Sequence, residues 1–181
     1  MSFDLVQNRI HSSKLLLKRL LPILSLFLVA AFTGCNKNKM RQTSSSMEPT
    51  IKRGEVISVD FSAYSGTGPH RWDVIVFESP TIGGGHWLGR IVGLPGETIE
   101  ILSGKIVIDG RIEAPPGRLS LGRYELPKKD LAPGGSGPVS FPYKIPADSY
   151  FVLGDNASKA LDSRYWGALD RSKILGKVPG K

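Results

Sequence analysis

Short apolar runs separated by turn residues dominate the chain from residue 46 onward. Glu55–Val59 alternates, with Val56, Ile57 and Val59 apolar. Val74–Phe77 is a continuous apolar run, the pattern of a strand buried on both faces. Trp87–Val92 follows the triple glycine Gly83-Gly84-Gly85 and ends at Gly93-Leu94-Pro95-Gly96. Thr98–Leu102 and Lys105–Ile108 are joined by Ser103-Gly104, which predicts a hairpin, and Asp109-Gly110 signals a second turn. Residues 111–146 are rich in Pro and Gly with weak periodicity and read as an excursion of loops and short strands. Tyr150–Leu153 is the last clear strand. No long amphipathic helix and no internal repeat is visible. The expectation is an all-β body of antiparallel ribbons around one core.

The N-terminal segment has a different pattern. Residues 1–19 are polar and basic, and Leu20 to Gly34 is an apolar run of 15 residues. As a helix it would span roughly 22 Å, short of the ~30 Å hydrocarbon core. A basic flank, a short apolar stretch and small residues at its end describe a secretory signal. Phe32-Thr33-Gly34-Cys35 resembles the lipobox of bacterial lipoproteins, in which the cysteine is lipidated; the alternative is an uncleaved signal anchor with Cys35 idle. The expected organisation is residues 1–35 as signal or anchor, 36–45 as a tether, and 46–181 as the β domain.

Charge supports that division. Seven basic residues and one acid, Asp4, precede Ser46, a net +6 of the chain's +8. The body is therefore nearly balanced, which argues against a nucleic-acid partner. Positive charge beside an apolar stretch reads as a topology signal or an attraction to anionic lipid, and leaves the body on the extracytoplasmic side. With a single cysteine, no intrachain disulfide can form.

Four ordered segments carry candidate chemistry. They are Ser44-Ser45-Ser46-Met47-Glu48-Pro49-Thr50; Arg71-Trp72-Asp73-Val74-Ile75-Val76-Phe77; Gly89 to Glu97 (GRIVGLPGE); and Gly154-Asp155-Asn156 followed by Asp162-Ser163-Arg164-Tyr165-Trp166-Gly167. Each has a plain reading: a serine-rich tether, a core strand, a Pro-Gly turn, and an ion pair stapling a loop. Together, in this order, they resemble the motifs of bacterial type I signal peptidases, from Ser44 to Gly167.

That resemblance implies an antiparallel β-ribbon and sheet fold with an N-terminal apolar helical segment. It also implies a membrane-bound Ser–Lys peptidase, without cofactor or metal, that cuts signal peptides of exported proteins. By position Ser46 matches the nucleophile, and Ser44 the hydroxyl that assists the Ser46 N–H in holding the oxyanion. Arg90, Asp155, Asp162 and Arg164 match residues that brace the site. The apolar Met47 and Ile51 are expected at the bilayer surface.

Two departures concern the base that a serine hydroxyl needs. The family's lysine falls at Gly89, and the serine that orients it falls at Ala160. His86 is a candidate substitute, although on a regular strand it and Gly89 face opposite ways unless a bulge intervenes. Lys52 and Lys105 read as surface residues, and a partner subunit supplying the base is a further alternative. Two functions follow: a peptidase with an unusual base, or a non-catalytic homologue that binds extended peptides as added strands. A plain scaffold domain is a third.

Overall fold

The computed structural model describes residues 38–81, 83–116, 122–126 and 138–181. The apolar stretch and Cys35 lie outside the described residues. Eleven strands are found among those described: β1 (Asn38–Arg41), β2 (Val56–Val59), β3 (Val74–Glu78), β4 (His86–Gly93), β5 (Thr98–Leu102), β6 (Lys105–Ile108), β7 (Arg111–Glu113), β8 (Tyr143–Lys144), β9 (Ser149–Leu153), β10 (Leu169–Asp170) and β11 (Ile174–Lys177). One helical turn, α1 (Ser163–Trp166), completes the set with a short 3-10 turn at Arg171–Lys173. The body is all-β, and every strand pairing is antiparallel. No described helix is long and apolar enough to cross a membrane.

The strands form a β1-β2 ribbon, a five-stranded sheet ordered β10-β9-β4-β3-β11, and a four-stranded sheet ordered β7-β6-β5-β8. Why β3 is apolar at successive positions follows from its place between β4 and β11. Val74 and Val76 face a core shared with Met47, Ile51, Ile57, Val59, Leu88 and Val178. Ile75 and Phe77 face the opposite core, with Ile91, Tyr150, Val152, Leu169 and Ile174. The side-chain period of two thus sends alternate residues into two separate apolar layers. A third core lies against the four-stranded sheet and takes Ile99, Ile101, Ile106, Ile108, Phe151 and Leu153. The β5–β6 hairpin turns at Ser103 (φ 51°) and Gly104 (φ 82°), the paired left-handed backbone of a type I′ turn.

Three expectations are corrected. The tether predicted over 36–45 contains β1, which pairs with β2 in register from Asn38↔Val59 to Arg41↔Val56. Its pattern hid it, because only Met40 packs inward while Asn38, Lys39 and Arg41 are exposed. Met47 and Ile51, expected at a bilayer surface, are fully buried. They anchor the serine segment to the core instead. Finally, while the excursion over 111–146 holds the expected short strands, β7 and β8, a strand follows β9 that the sequence reading does not include: β11 closes the far side of β3, too short for a sequence period to register.

Phe151 is fully buried and packs its ring against Phe141 and Tyr143 at centroid distances of 6.0 and 5.6 Å. Phe151→Ala is expected to lower unfolding free energy by about 3–5 kcal/mol in urea titrations. Leu102→Ala, at a position 53% exposed, should change it by no more than about 0.5 kcal/mol.

Candidate active site

The serine segment is fixed at both ends. Gln42 exchanges backbone hydrogen bonds with the β2 approach: its N–H donates to Glu55 O at 2.9 Å, and its O accepts from Gly54 N at 2.7 Å. Further on, Met47 and Ile51 sink into the core, and Ile51 N donates back to Met47 O at 2.9 Å. Between these anchors Ser46 turns outward. Its carbonyl accepts the Asn156 N–H at 2.9 Å, tying the segment to the loop after β9.

Around the Ser46 hydroxyl, Ser44 Oγ stands 3.0 Å from Ser46 Oγ and accepts the Ser46 backbone N–H at 3.4 Å. Gln42 Nε2 donates to Ser46 Oγ at 3.4 Å. Gln42 is buried, and as a lone polar residue ahead of the serines it carries no motif. An amide nitrogen donates, so Gln42 orients the hydroxyl but takes no proton from it. Among the described residues, the side-chain partners of Ser46 Oγ are these two alone.

Two buried ion pairs brace this arrangement. Arg90 of β4 grips Asp155 bidentately, Nε to Oδ1 at 2.8 Å and Nη2 to Oδ2 at 2.7 Å, with side chains 3% and 0% exposed. Arg90 Nη1 also donates to Trp72 O, and Thr50 Oγ1 donates to Asp155 Oδ2. One carboxylate therefore joins β4, the serine segment and the β9 exit. Asp162 caps α1 and accepts from Arg164 Nε at 2.8 Å, Arg164 Nη2 at 2.9 Å and Gly154 N at 3.1 Å. Burial pushes the Asp162 carboxyl up, and Arg164 with the Gly154 N–H pulls against that. Arg164 further donates to the carbonyls of Glu125 and Ala157. Burial also drives up the pKa of Tyr124, whose hydroxyl donates to Gly154 O at 2.9 Å. The four bracing residues singled out in the sequence thus form two pairs, Arg90 with Asp155 and Arg164 with Asp162.

A cleft of about 260 Å³ opens between residues 42–46, the first half of β4 and residues 152–162. Ser44, Ser46, Gly89 and Ala160 all line it. A Cβ added to Gly89 would lie 2.4 Å from Val152 Cγ1, 3.3 Å from Phe77 Cε1 and 3.5 Å from Leu153 O. Val152 therefore occupies the space through which any side chain at 89 must emerge. Ala160 presents only a methyl, set against Gly154, where a Cβ would lie 2.4 Å away.

His86 lies on the cleft rim and is exposed. β4 keeps unbroken register with β3 from Glu78↔His86 to Val74↔Arg90. No bulge reverses His86, so its side chain leaves the strand on the face opposite to that of Gly89. Lys52 and Lys105 are exposed and do not line the cleft. Lys159 does line it. Sequence reasoning passed it over, though it adjoins Ala160 in the chain.

The edge of β4 beside the cleft is open. Ile91 N–H donates to Asp73 O on the β3 side, so alternation turns the N–H and C=O of Leu88 and His86 the other way. β9 covers that side only from Arg90 onward, where Leu153 pairs with Arg90. It then peels off as Gly154 donates to Asp162. No described strand pairs with β4 there.

Two outcomes are expected from denaturation measurements. Asp155→Ala leaves Arg90 buried and uncompensated and should cost about 3–5 kcal/mol. Gly89→Ala should cost about 1–3 kcal/mol through overpacking. Adding Val152→Ala should return part of that, so the double variant will be more stable than the sum of the two singles.

Residues 14–180 match the family described as signal peptidase, peptidase S26. Signal peptidase I of Leptolyngbya laminosa is 32% identical over 149 residues, covering 75% of this chain and 63% of that protein. Probable signal peptidase I-2 of Synechocystis sp. is 34% identical over 147 residues, covering 75% and 58%. Signal peptidase IB of Staphylococcus aureus is 31% identical over 143 residues, covering 74% and 71%. The crystal structure of a signal peptidase I from Enterococcus faecalis V583 is 28% identical with a TM-score of 0.46, covering 62% of this chain and 97% of that one. The chain spans about three fifths of the length of the first two relatives. With the family match running through nearly all of its residues, the chain belongs to the signal peptidase family, peptidase S26.

Proposed function

We infer that this protein is a membrane-associated serine endopeptidase of the signal peptidase I type, acting on signal peptides of exported proteins with Ser46 as nucleophile. One observation carries the reading. Ser46 Oγ sits on the cleft with Ser44 Oγ at 3.0 Å, beside a strand edge whose free backbone groups suit an extended peptide. A bound segment would add to β4 through Leu88 and His86, its alternate side chains entering the cleft. Its scissile carbonyl would then meet the Ser46 hydroxyl. The Ser46 N–H and the Ser44 hydroxyl now bond to each other; turned onto the developing oxyanion, they supply a donor pair.

The N-terminal segment gives this reading its place in the cell. It holds the protein to the membrane, either as an uncleaved anchor or through lipid on Cys35, with the β domain on the extracytoplasmic side. A second reading, a non-catalytic binder of extended peptides, draws on the Val152 methyl that fills the base position beside Gly89. The open edge serves either reading.

The deciding experiment is cleavage of a preprotein by the full chain in lipid vesicles. Cutting at the signal junction is expected, and Ser46→Ala should abolish it. Ser44→Ala should slow it by about 10²–10³ while leaving the cut site unchanged. If neither wild type nor Ser46→Ala cuts, and both retain the preprotein on the vesicle equally, the binder reading replaces the peptidase.

A further inference from the structure

We propose that Lys159, on the loop after β9, is the general base for Ser46; the proposal rests on Ser46 being a working nucleophile. The lysine position at Gly89 is closed by Val152, so a base must enter the cleft from elsewhere. Three titratable side chains from described residues line that cleft: His86, Lys159 and Asp162. Asp162 is committed to Arg164 and Gly154. His86 stands on the exposed rim at the start of β4, whereas the Lys159 loop is bonded to the serine segment itself. Lys159 remains, and among the described residues its ammonium has no hydrogen bond or ion pair that would hold it away from the cleft.

The backbone ties this lysine to the serine. Asn156 N donates to Ser46 O at 2.9 Å, and Asn156 O accepts from both Lys159 N and Ala160 N at 3.0 Å. A Cβ on Gly154 would lie 2.7 Å from Ser46 O and 2.4 Å from Ala160 Cβ. The serine segment, the β9 exit and the lysine loop are therefore in close backbone contact, and a substitution in one is felt by the others. Lys159 lines the cleft from this loop, and its flexible four-carbon stem lets the amine turn toward the serine. Lys159 is exposed in the free protein. A peptide strand laid on the β4 edge would cover the cleft that Ser46 and Lys159 both line.

The step balances without a co-reactant other than water. Neutral Lys159 Nζ takes the Ser46 Oγ proton as Oγ bonds to the scissile carbonyl carbon, and the carbonyl electrons move to oxygen. Collapse breaks the C–N bond, and the Lys159 ammonium returns its proton to the leaving amine. Water then attacks the acyl-serine, giving one proton to Lys159, and that proton restores the Ser46 hydroxyl as the acyl–oxygen bond breaks.

The test separates this base from the substrate reading by using p-nitrophenyl acetate on the full chain. Acetylation at Ser46 is followed by mass spectrometry across pH, with preprotein cleavage in vesicles run in parallel. Wild type should acetylate Ser46 at a rate that rises with pH along one ionisation limb. Lys159→Ala should lose that limb and about 10²–10⁴ in rate, and added methylamine should restore part of the loss. Lys159→Arg should be as slow as Lys159→Ala, because guanidinium keeps its proton, and Lys105→Ala, exposed and outside the cleft, should match wild type. Acetylation of Lys159→Ala at the wild-type rate, or no Ser46 acetylation in wild type at any pH, overturns Lys159 as base. Lys159-dependent acetylation with no preprotein cut supports the base and overturns the signal-peptide reading alone.

Discussion

The site depends on a single buried carboxylate. Asp155 receives both arms of Arg90 and the hydroxyl of Thr50, so it ties a core strand to the segment that presents Ser46. Its own backbone neighbour, Asn156, holds the Ser46 carbonyl. Two charges with almost no water around them are compensated only by each other. Their mutual need is therefore also a positional constraint. The serine cannot drift from β4 without breaking a pair that has no solvent to fall back on.

Asp162 and Arg164 repeat this logic on the other flank. Arg164 spends its donors on Asp162 and on carbonyls of Glu125 and Ala157, and its guanidinium stacks 5.2 Å from the centre of the Tyr124 ring. Tyr124 in turn bonds to Gly154 O. None of these groups reaches the serine hydroxyl. They make a rigid floor, and that floor is complete although Gly89 and Ala160 carry no polar side chain. The bracing network draws on no side chain at Gly89 or Ala160; from Ala160 it takes only the carbonyl, which accepts from Arg164 Nη2 at 3.4 Å.

Much of the fold could be read from the chain. The buried run at β3, the Ser103-Gly104 hairpin and the β9 strand all announce themselves, because burial on two faces and left-handed turn backbone leave strong local marks. β1, β7, β8 and β11 leave weak ones. They have two to four residues each, too few to show a period, and β8 and β11 pair with strands far away in sequence. At the site, serines, arginines and aspartates were legible as motif positions. Gln42 and Lys159 were not, since a lone polar residue in a loop carries no period; only the folded chain brings them to the cleft. The burial of Met47 and Ile51 shows the converse limit. An apolar residue beside a functional loop looks the same in sequence whether it faces lipid or core.

The open edge of β4 has a further consequence for how the protein keeps its own company. Unpaired strand edges are templates for any extended chain, including a second copy. Here the exposed template is short: β9 covers β4 from Arg90 onward, and the glycine turn at 83–85 ends the strand before His86. Only the groups of Leu88 and His86 remain. Two residues offer too few hydrogen bonds to hold a stray strand, so capture requires a guest whose side chains also fit the cleft. Brevity of the edge thus guards against self-association and places the burden of selectivity on the guest's side chains.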